Sequence, residues 1–212
     1  MARTEPKDWA KFCKLVKSYS FDDFDFHDST TVGQVNRFRA RYSLVSDLSS
    51  ITVDNCNSDT SEGYAELMKI VMAWGTVESF FKLKGININS DSARTNHLKP
   101  LYDSALEAGL RTELNNAQYM KFFAVVRDEC TNNNHKNAIN SYLTNPNGHY
   151  ELSYIMSGIR HVFAHGILTP HSGGVKPVRV QEICNKLTTF FLPIVDKEFA
   201  KIVQDHPDYP LV

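Results

Sequence analysis

The residues best suited to chemistry lie in one short stretch, Gly158–Gly166, which contains Arg160, His161 and His165. Arginine carries a permanent positive charge and binds phosphate through two parallel hydrogen bonds. Histidine is the side chain that most readily transfers a proton near neutral pH. Together these groups are what cleavage of a phosphodiester requires, so this stretch is the candidate catalytic centre.

Helical geometry places these residues relative to one another, at about 100° per residue. One stripe of the predicted helix Tyr150–His165 is apolar, and Arg160 lies at its edge. His161 and His165 lie one turn apart on the polar face. Arg160 and His165 diverge by about 140°, so they converge only if the helix unwinds before Gly166 or if a second copy of the chain completes the site. We favour a symmetric dimer that pairs this motif helix with itself.

The elements that must position these residues are helices. Apolar residues recur at spacings of three and four along most of the chain, and no alternating strand pattern or internal repeat is present. The sequence therefore predicts an all-α bundle in a single domain, 1–212. Its N-terminal part, 1–60, holds helices and an acidic, aromatic loop, and its core spans 61–212. The predicted helices cover 6–19, 31–48, 61–84, 101–110, 117–130, 138–143, 150–165 and 178–203, with Asn132–His135 as a break and 85–100 as a polar connection.

Glu78 interrupts the apolar face of the most regular helix, Ser61–Lys84. The inward seam of that helix is predicted to contain Tyr64, Leu67, Met68, Val71, Trp74 and Phe81. A carboxylate on such a seam must be paired or have a raised pKa. Two interpretations stay open: Glu78 forms a structural salt bridge with an arginine, or it pairs with Arg160 and supports the site.

Composition limits the function classes. The chain has 212 residues, with 23 Lys plus Arg against 24 Asp plus Glu, so no strong overall field attracts nucleic acid and RNA would need a local patch. The four cysteines are scattered without a C-x-x-C pair, which is typical of reduced thiols. The sequence shows no secretory leader and no apolar stretch of membrane-spanning length. We expect a cytoplasmic protein with no membrane contact.

The motif Arg160-His161-Val162-Phe163-Ala164-His165 on a late helix of an all-α domain resembles the R-x4-H motif of the HEPN superfamily (higher eukaryotes and prokaryotes nucleotide-binding domains). The segment Ala73–Glu78 is similar to an earlier helix of that family, which often carries an acidic residue facing the site. The resemblance implies a HEPN-like bundle with additional N-terminal and C-terminal helices.

The resemblance also implies a function: a metal-independent endoribonuclease that acts as a homodimer through the motif helix, in toxin–antitoxin, defence or RNA-processing systems. His165 would be the general acid/base and Arg160 would hold the phosphate. His161 would orient the arginine or contact RNA. No cofactor is implied, and an antitoxin or another protein is a possible partner. Some family toxins carry a modified tyrosine two positions after the histidine, where this chain has Ile167, so neutralisation by that modification is not expected.

Three further residues are predicted to contact substrate beside the motif. Tyr154 could stack on a base, and Lys176 and Arg179 could bind phosphate groups. The structural alternative is that all three are ordinary packing or surface residues.

Two other functions compete with this hypothesis. His161 and His165 have the i, i+4 spacing of helical zinc ligands, and His135, His149 or His171 could supply a third. The H-E-x-x-H pattern of zinc hydrolases is not met, because Val162 stands where its glutamate would be. The second alternative is a catalytically inactive helical module that binds a protein, nucleotide or RNA, with Arg160 in a structural role.

Overall fold

Helices account for all the regular secondary structure of the described part of the chain, as the three- and four-residue spacing of its apolar side chains predicts. The computed structural model describes residues 3–212 and contains no strand in that range, which confirms the all-α prediction. None of the described helices combines the length and apolarity that crossing a bilayer requires. The helices are α1 (Trp9–Ser18), α2 (Val32–Asp47), α3 (Ser58–Leu83), α4 (Asp91–Ala93), α5 (Ser104–Leu114), α6 (Met120–Glu129), α7 (Asn133–Thr144), α8 (Leu152–Ala164) and α9 (Pro177–Gln204).

The described chain divides into two compact units. The first unit comprises residues 1–47, 75–102 and 191–212, and the second comprises residues 48–74 and 103–190. This division does not follow the predicted boundary at residue 60. The motif helix α8 lies wholly in the second unit.

Aromatic side chains form the core of the first unit. Phe12 of α1 contacts Phe199 of α9 at 5.6 Å between ring centroids, and Phe199 contacts Phe38 of α2 at 5.4 Å. Phe24 packs 5.1 Å from Phe12, whereas the aspartates of the surrounding stretch 21–28 are exposed. The predicted acidic, aromatic loop thus contributes a phenylalanine to the core.

The buried face of α3 differs from the predicted seam. Leu67, Trp74 and Phe81 are buried as expected, but Met68 is 42% exposed. The buried residues are instead concentrated in the later part of the helix. The exposed fraction of each of four residues there is below 1%: Ala73, Trp74, Thr76 and Val77. A helix buried on several sides has no single seam, and a periodicity argument that assumes one assigns some positions incorrectly.

The stretch Asn132–His135 starts α7 instead of breaking the helical pattern. Asn132 is the N-cap, and its side-chain oxygen accepts hydrogen bonds from the backbone N–H groups of Asn134 (2.8 Å) and His135 (3.3 Å). Asparagine is unfavourable inside a helix, but at the start of a helix its side-chain oxygen accepts hydrogen bonds from the free N–H groups. The polar connection 85–100 likewise contains α4, followed by irregular helical turns to Leu101.

Replacing the cap tests this account of α7. Asn132→Ala should lower the free energy of unfolding by about 1 kcal/mol, because two backbone donors lose their acceptor. Urea titration followed by circular dichroism measures the change. Asn133→Ala, at the neighbouring exposed asparagine, is the matched control and should have little effect. Equal losses in both variants would contradict the capping role.

Candidate functional site

The motif helix ends in a glycine cap directly after the candidate histidine. Gly166 has φ of 77°, and its N–H donates to the carbonyl of Phe163 (2.9 Å) while the N–H of Ile167 donates to Val162 (3.3 Å). This pair of bonds is the Schellman closure. His165 occupies the C-cap position, with its N–H still bonded to the His161 carbonyl at 3.3 Å. The helix is therefore closed at Gly166 and does not unwind before it.

Burial falls steeply along α8. All residues from Leu152 to Ile159 are buried, Arg160 and His161 are half-buried, and His165 is exposed. Of the predicted apolar stripe, only Phe163 is not fully buried. A second copy of the chain could therefore reach this helix only at its last turn and the residues that follow. The predicted homodimer stays a prediction.

The imidazoles of His161 and His165 are in contact. Their ring centroids are 4.6 Å apart and the rings are nearly perpendicular, at 71°. Nε2 of His161 lies 3.0 Å from Oγ1 of Thr131, at the junction of α6 and α7. The His161 ring is therefore held by its contact with Thr131, whereas the side chain of His165 is accessible to solvent.

The pKa of His161 is lowered from its ordinary value. The largest cause is burial, which disfavours the charged ring, and the positive charges of His165 and Arg160 add to it. His161 is therefore mainly neutral at pH 7 and able to accept a proton.

A third histidine lies beneath the pair. His135 of α7 is buried, its Nε2 is 2.9 Å from Oγ of Ser157, and its ring centroid is 5.8 Å from that of His161. From the sequence alone, His135 is predicted only as a possible zinc ligand and lies in a predicted break between helices. The signal that could have placed it on a helix is Asn132, a typical N-cap residue three positions earlier.

Gly158 allows α7 to approach the motif helix closely. A Cβ atom at this position would lie 3.2 Å from Cδ1 of Ile139 and 3.6 Å from Cβ of His135. The contact with Ile139 would be tighter than most Cβ contacts, whereas the one with His135 would be ordinary van der Waals packing. The absence of a side chain at Gly158 thus makes room for Ile139 of α7.

Tyr154, predicted to stack on a base, is only 6% exposed. Its ring contacts His135 at 5.6 Å between centroids, and its hydroxyl accepts a hydrogen bond from Nδ2 of Asn134 (3.2 Å). In this arrangement Tyr154 packs beside His135 instead of presenting its ring to solvent. On the helical wheel Tyr154 lies on the same side as His161, and packing against α7 buries it there.

The two predicted phosphate-binding cations differ in their surroundings. Lys176 is exposed. Arg179 forms an ion pair with Glu182 at 2.7 Å, and Glu182 also accepts a hydrogen bond from the hydroxyl of Tyr119 at 2.8 Å. Binding of phosphate by Arg179 would compete with that carboxylate, so Lys176 is the better placed of the two.

Glu78, the predicted supporting carboxylate, is half-buried in the part of α3 that belongs to the first unit. It lines an open cavity together with Arg41 and Lys82. Arg160 belongs to the second unit. The pairing of Glu78 with Arg160 stays a prediction.

The geometry does not gather His161, His165 and His171 around a common point. Within residues 3–212, the one group of three possible ligands whose donor atoms all lie within 4.8 Å of one another is Asp23, His206 and Asp208. Both ring nitrogens of His206 are already engaged: Nδ1 accepts from the Asp208 N–H (3.1 Å) and Nε2 lies 3.2 Å from the Ser20 carbonyl. His206 is therefore a structural histidine.

Comparison with known proteins adds no further assignment. No family model matches the chain, and no curated protein or solved structure shows significant similarity to it. The functional interpretation therefore depends on the motif and on the geometry of the second unit.

The lowered pKa of His161 predicts a pH dependence of stability. Because its folded-state pKa lies below its unfolded value of about 6.5, the unfolded chain binds the proton first as pH falls, and acidification favours unfolding. His161→Gln removes this contribution, so the variant should lose less free energy of unfolding than wild type between pH 7.5 and pH 5.5. Urea titrations at the two pH values measure the difference.

The matched control for this measurement is His149→Gln, at an exposed histidine of the same unit. It should preserve the wild-type loss on acidification. An unchanged loss in His161→Gln would show that burial of His161 does not disfavour its charged form.

Proposed function

We propose that this chain is a metal-independent endoribonuclease of the HEPN type, with its catalytic centre at the exposed end of α8. The observation that carries the proposal is the contact between the imidazoles of His161 and His165, whose ring centroids are 4.6 Å apart, in the turn that follows Arg160. Two adjacent imidazoles can transfer protons, and an arginine in the same cleft can stabilise the charge on the phosphate.

Cleavage would proceed by internal transesterification. The ribose 2′-oxygen forms a bond to phosphorus as its proton moves to an imidazole, and the bond from phosphorus to the 5′-oxygen breaks as that oxygen receives a proton. The products are a 2′,3′-cyclic phosphate and a 5′-hydroxyl. Arg160 would hold the phosphate and neutralise the negative charge that develops on its oxygens. DNA has no 2′-hydroxyl and should resist cleavage.

The surroundings of the two histidines support different tasks. His161 has a lowered pKa and is held by Thr131, so it is suited to accept the proton. This requires the tautomer in which Nε2–H donates to Oγ1 of Thr131 and Nδ1 is unprotonated. His165 is exposed at the helix end, where it can exchange protons with solvent and reach the leaving oxygen. An environment that distinguishes two titratable groups is typical of acid–base pairs.

A homodimer would complete the centre. The exposed last turn of α8 carries His165 and is followed by Ile167, an apolar residue that is 43% exposed. Self-association across a two-fold axis at this turn would bring two copies of each catalytic group into one cleft. RNA is the proposed substrate, and an antitoxin or other protein partner would act by covering this cleft.

Cleavage of a labelled RNA and a matched DNA, with EDTA present, tests the proposal. Wild type should cut only RNA and leave a cyclic phosphate. Arg160→Ala, His161→Ala and His165→Ala should each lower the cleavage rate at least about 100-fold, the typical contribution of an acid–base or charge-stabilising group. His149→Ala, at an exposed histidine outside the motif, should cleave like wild type.

Other outcomes contradict the proposal in distinct ways. Loss of cutting in EDTA would indicate a metal-dependent enzyme. Failure of folded, dimeric wild type to cut single-stranded or structured RNA would favour a catalytically inactive binding module. Equal cutting of RNA and DNA would exclude attack by the 2′-hydroxyl.

A further inference from the structure

The first unit contains an open cavity of about 590 Å³ that has no part in the site on α8. Its walls are α2, the last two turns of α3 and the segment 85–89 that follows α3. A second cavity of about 170 Å³ shares Gln34, Arg41, Ser79 and Lys82 with it and adds Arg37. Known pockets for small molecules have volumes of about 300–1,000 Å³, so the larger cavity has room for one.

Positive side chains dominate the mouth of these cavities. Arg37 and Arg41 lie one turn apart on α2, and Lys82 faces them from α3; all three are exposed. Within residues 3–212, no carboxylate forms an ion pair with any of the three. The nearby cations Arg39 and Lys84, by contrast, are paired with Glu5 and Asp25. Three unneutralised cations around one opening are suited to bind a compact anion.

The remaining lining is suited to a polar body attached to that anion. Gln34, Asn87 and Asn89 supply amide groups that both donate and accept hydrogen bonds, and Glu78 supplies a carboxylate. Ile86 and the buried Ile88 supply apolar surface. Cations, amides and apolar surface in one lining are what a phosphorylated small molecule requires.

The wall after α3 is held in place before any ligand binds. Gly85 has φ of 70°, and α3 closes as α8 does: the N–H of Gly85 donates to Lys82 (3.1 Å) and that of Ile86 to Phe81 (2.9 Å). A Cβ at Gly85 would lie 2.3 Å from Cδ2 of His27, so the turn packs directly on that ring. At the other end, Nε of the buried Arg94 donates to the Ile88 carbonyl at 3.1 Å. A preformed wall lowers the entropic cost of binding.

The carboxyl end of a helix carries partial negative charge, which would repel an anion near Lys82. Here three carbonyls of the last turn are already hydrogen-bonded within the protein. The Leu83 carbonyl accepts from the N–H of His27 and from Oγ1 of Thr30, both at 2.8 Å. The Lys82 and Phe81 carbonyls accept from the N–H groups of Gly85 and Ile86, and the three side-chain cations add positive charge beside this turn.

We propose that this cavity binds a small phosphate monoester with a polar body, such as a mononucleotide or a sugar phosphate. Arg41 and Lys82 bind the phosphate, Arg37 adds a third positive charge at the rim, and the amides of Gln34, Asn87 and Asn89 bind the rest of the molecule. The site is independent of the proposed ribonuclease centre, because none of its residues belongs to the second unit.

Isothermal titration calorimetry on the full chain at low salt tests the proposal with AMP, ribose 5-phosphate, inorganic phosphate and adenosine. We expect at least one of the two esters to bind more tightly than inorganic phosphate and adenosine. A preference for AMP would identify a nucleotide site, and equal binding of both esters would show that the sugar phosphate suffices. Arg41→Gln and Lys82→Gln should each weaken ester binding by about tenfold, the usual effect of losing a hydrogen bond to a charged group.

The matched control is Arg3→Gln, an equal change of charge at an exposed arginine of the same unit that does not line the cavity. It should bind like wild type. Circular dichroism must show that all variants are folded. The proposal is overturned if neither ester binds, if inorganic phosphate binds as tightly as both esters, if the cavity variants bind like Arg3→Gln, or if only an oligoribonucleotide binds.

Discussion

The close approach of α7 to the motif helix at Gly158 is the contact on which the candidate site depends. Glycine inside a helix is unfavourable by about 1 kcal/mol relative to alanine, so its presence here has to be offset by what it permits. It permits Cδ1 of Ile139 to lie 3.2 Å from where a Cβ atom would stand. The polar groups of α8 are thereby covered by a second helix, and only its last turn is left to solvent.

This covering places three histidines at three depths in one small region. His135 is buried and bonded to Ser157, His161 is half-buried against Thr131, and His165 is exposed. The same residue type therefore meets three environments, and burial biases the middle ring, that of His161, toward its neutral form. Packing of α7 on α8 thus gives chemically identical groups different surroundings without any additional residue type.

The sequence predicts the helices well because each buries an apolar stripe that repeats every three or four residues. The predicted α1, α2, α8 and α9 end within three residues of their observed ends. The sequence predicts side-chain burial less accurately where a helix is buried on several sides. It predicts Met68 in the core of α3, but this side chain is exposed. The polar start of α7 was mistaken for a break, since capping residues and loop residues have the same composition.

For the site, the sequence identifies Arg160, His161 and His165 and the glycine cap, all of which are local features of one helix. It does not identify the contacts that come from other elements. Thr131 and Ser157 become neighbours of histidines only through packing, and a single sequence carries no record of that packing. The sequence does not predict the cavity of the first unit for the same reason, because two of its lining residues, Arg41 and Lys82, are separated by about forty residues of chain.

The glycine closure of α8 has a dynamic consequence for the two contacting imidazoles. Terminal turns open locally at a much lower free-energy cost than helix interiors. His165 occupies the C-cap of such a turn, whereas His161 lies one turn further in and is bonded to Thr131. The two rings should therefore reorient at different rates, the ring of His165 faster than the ring of His161.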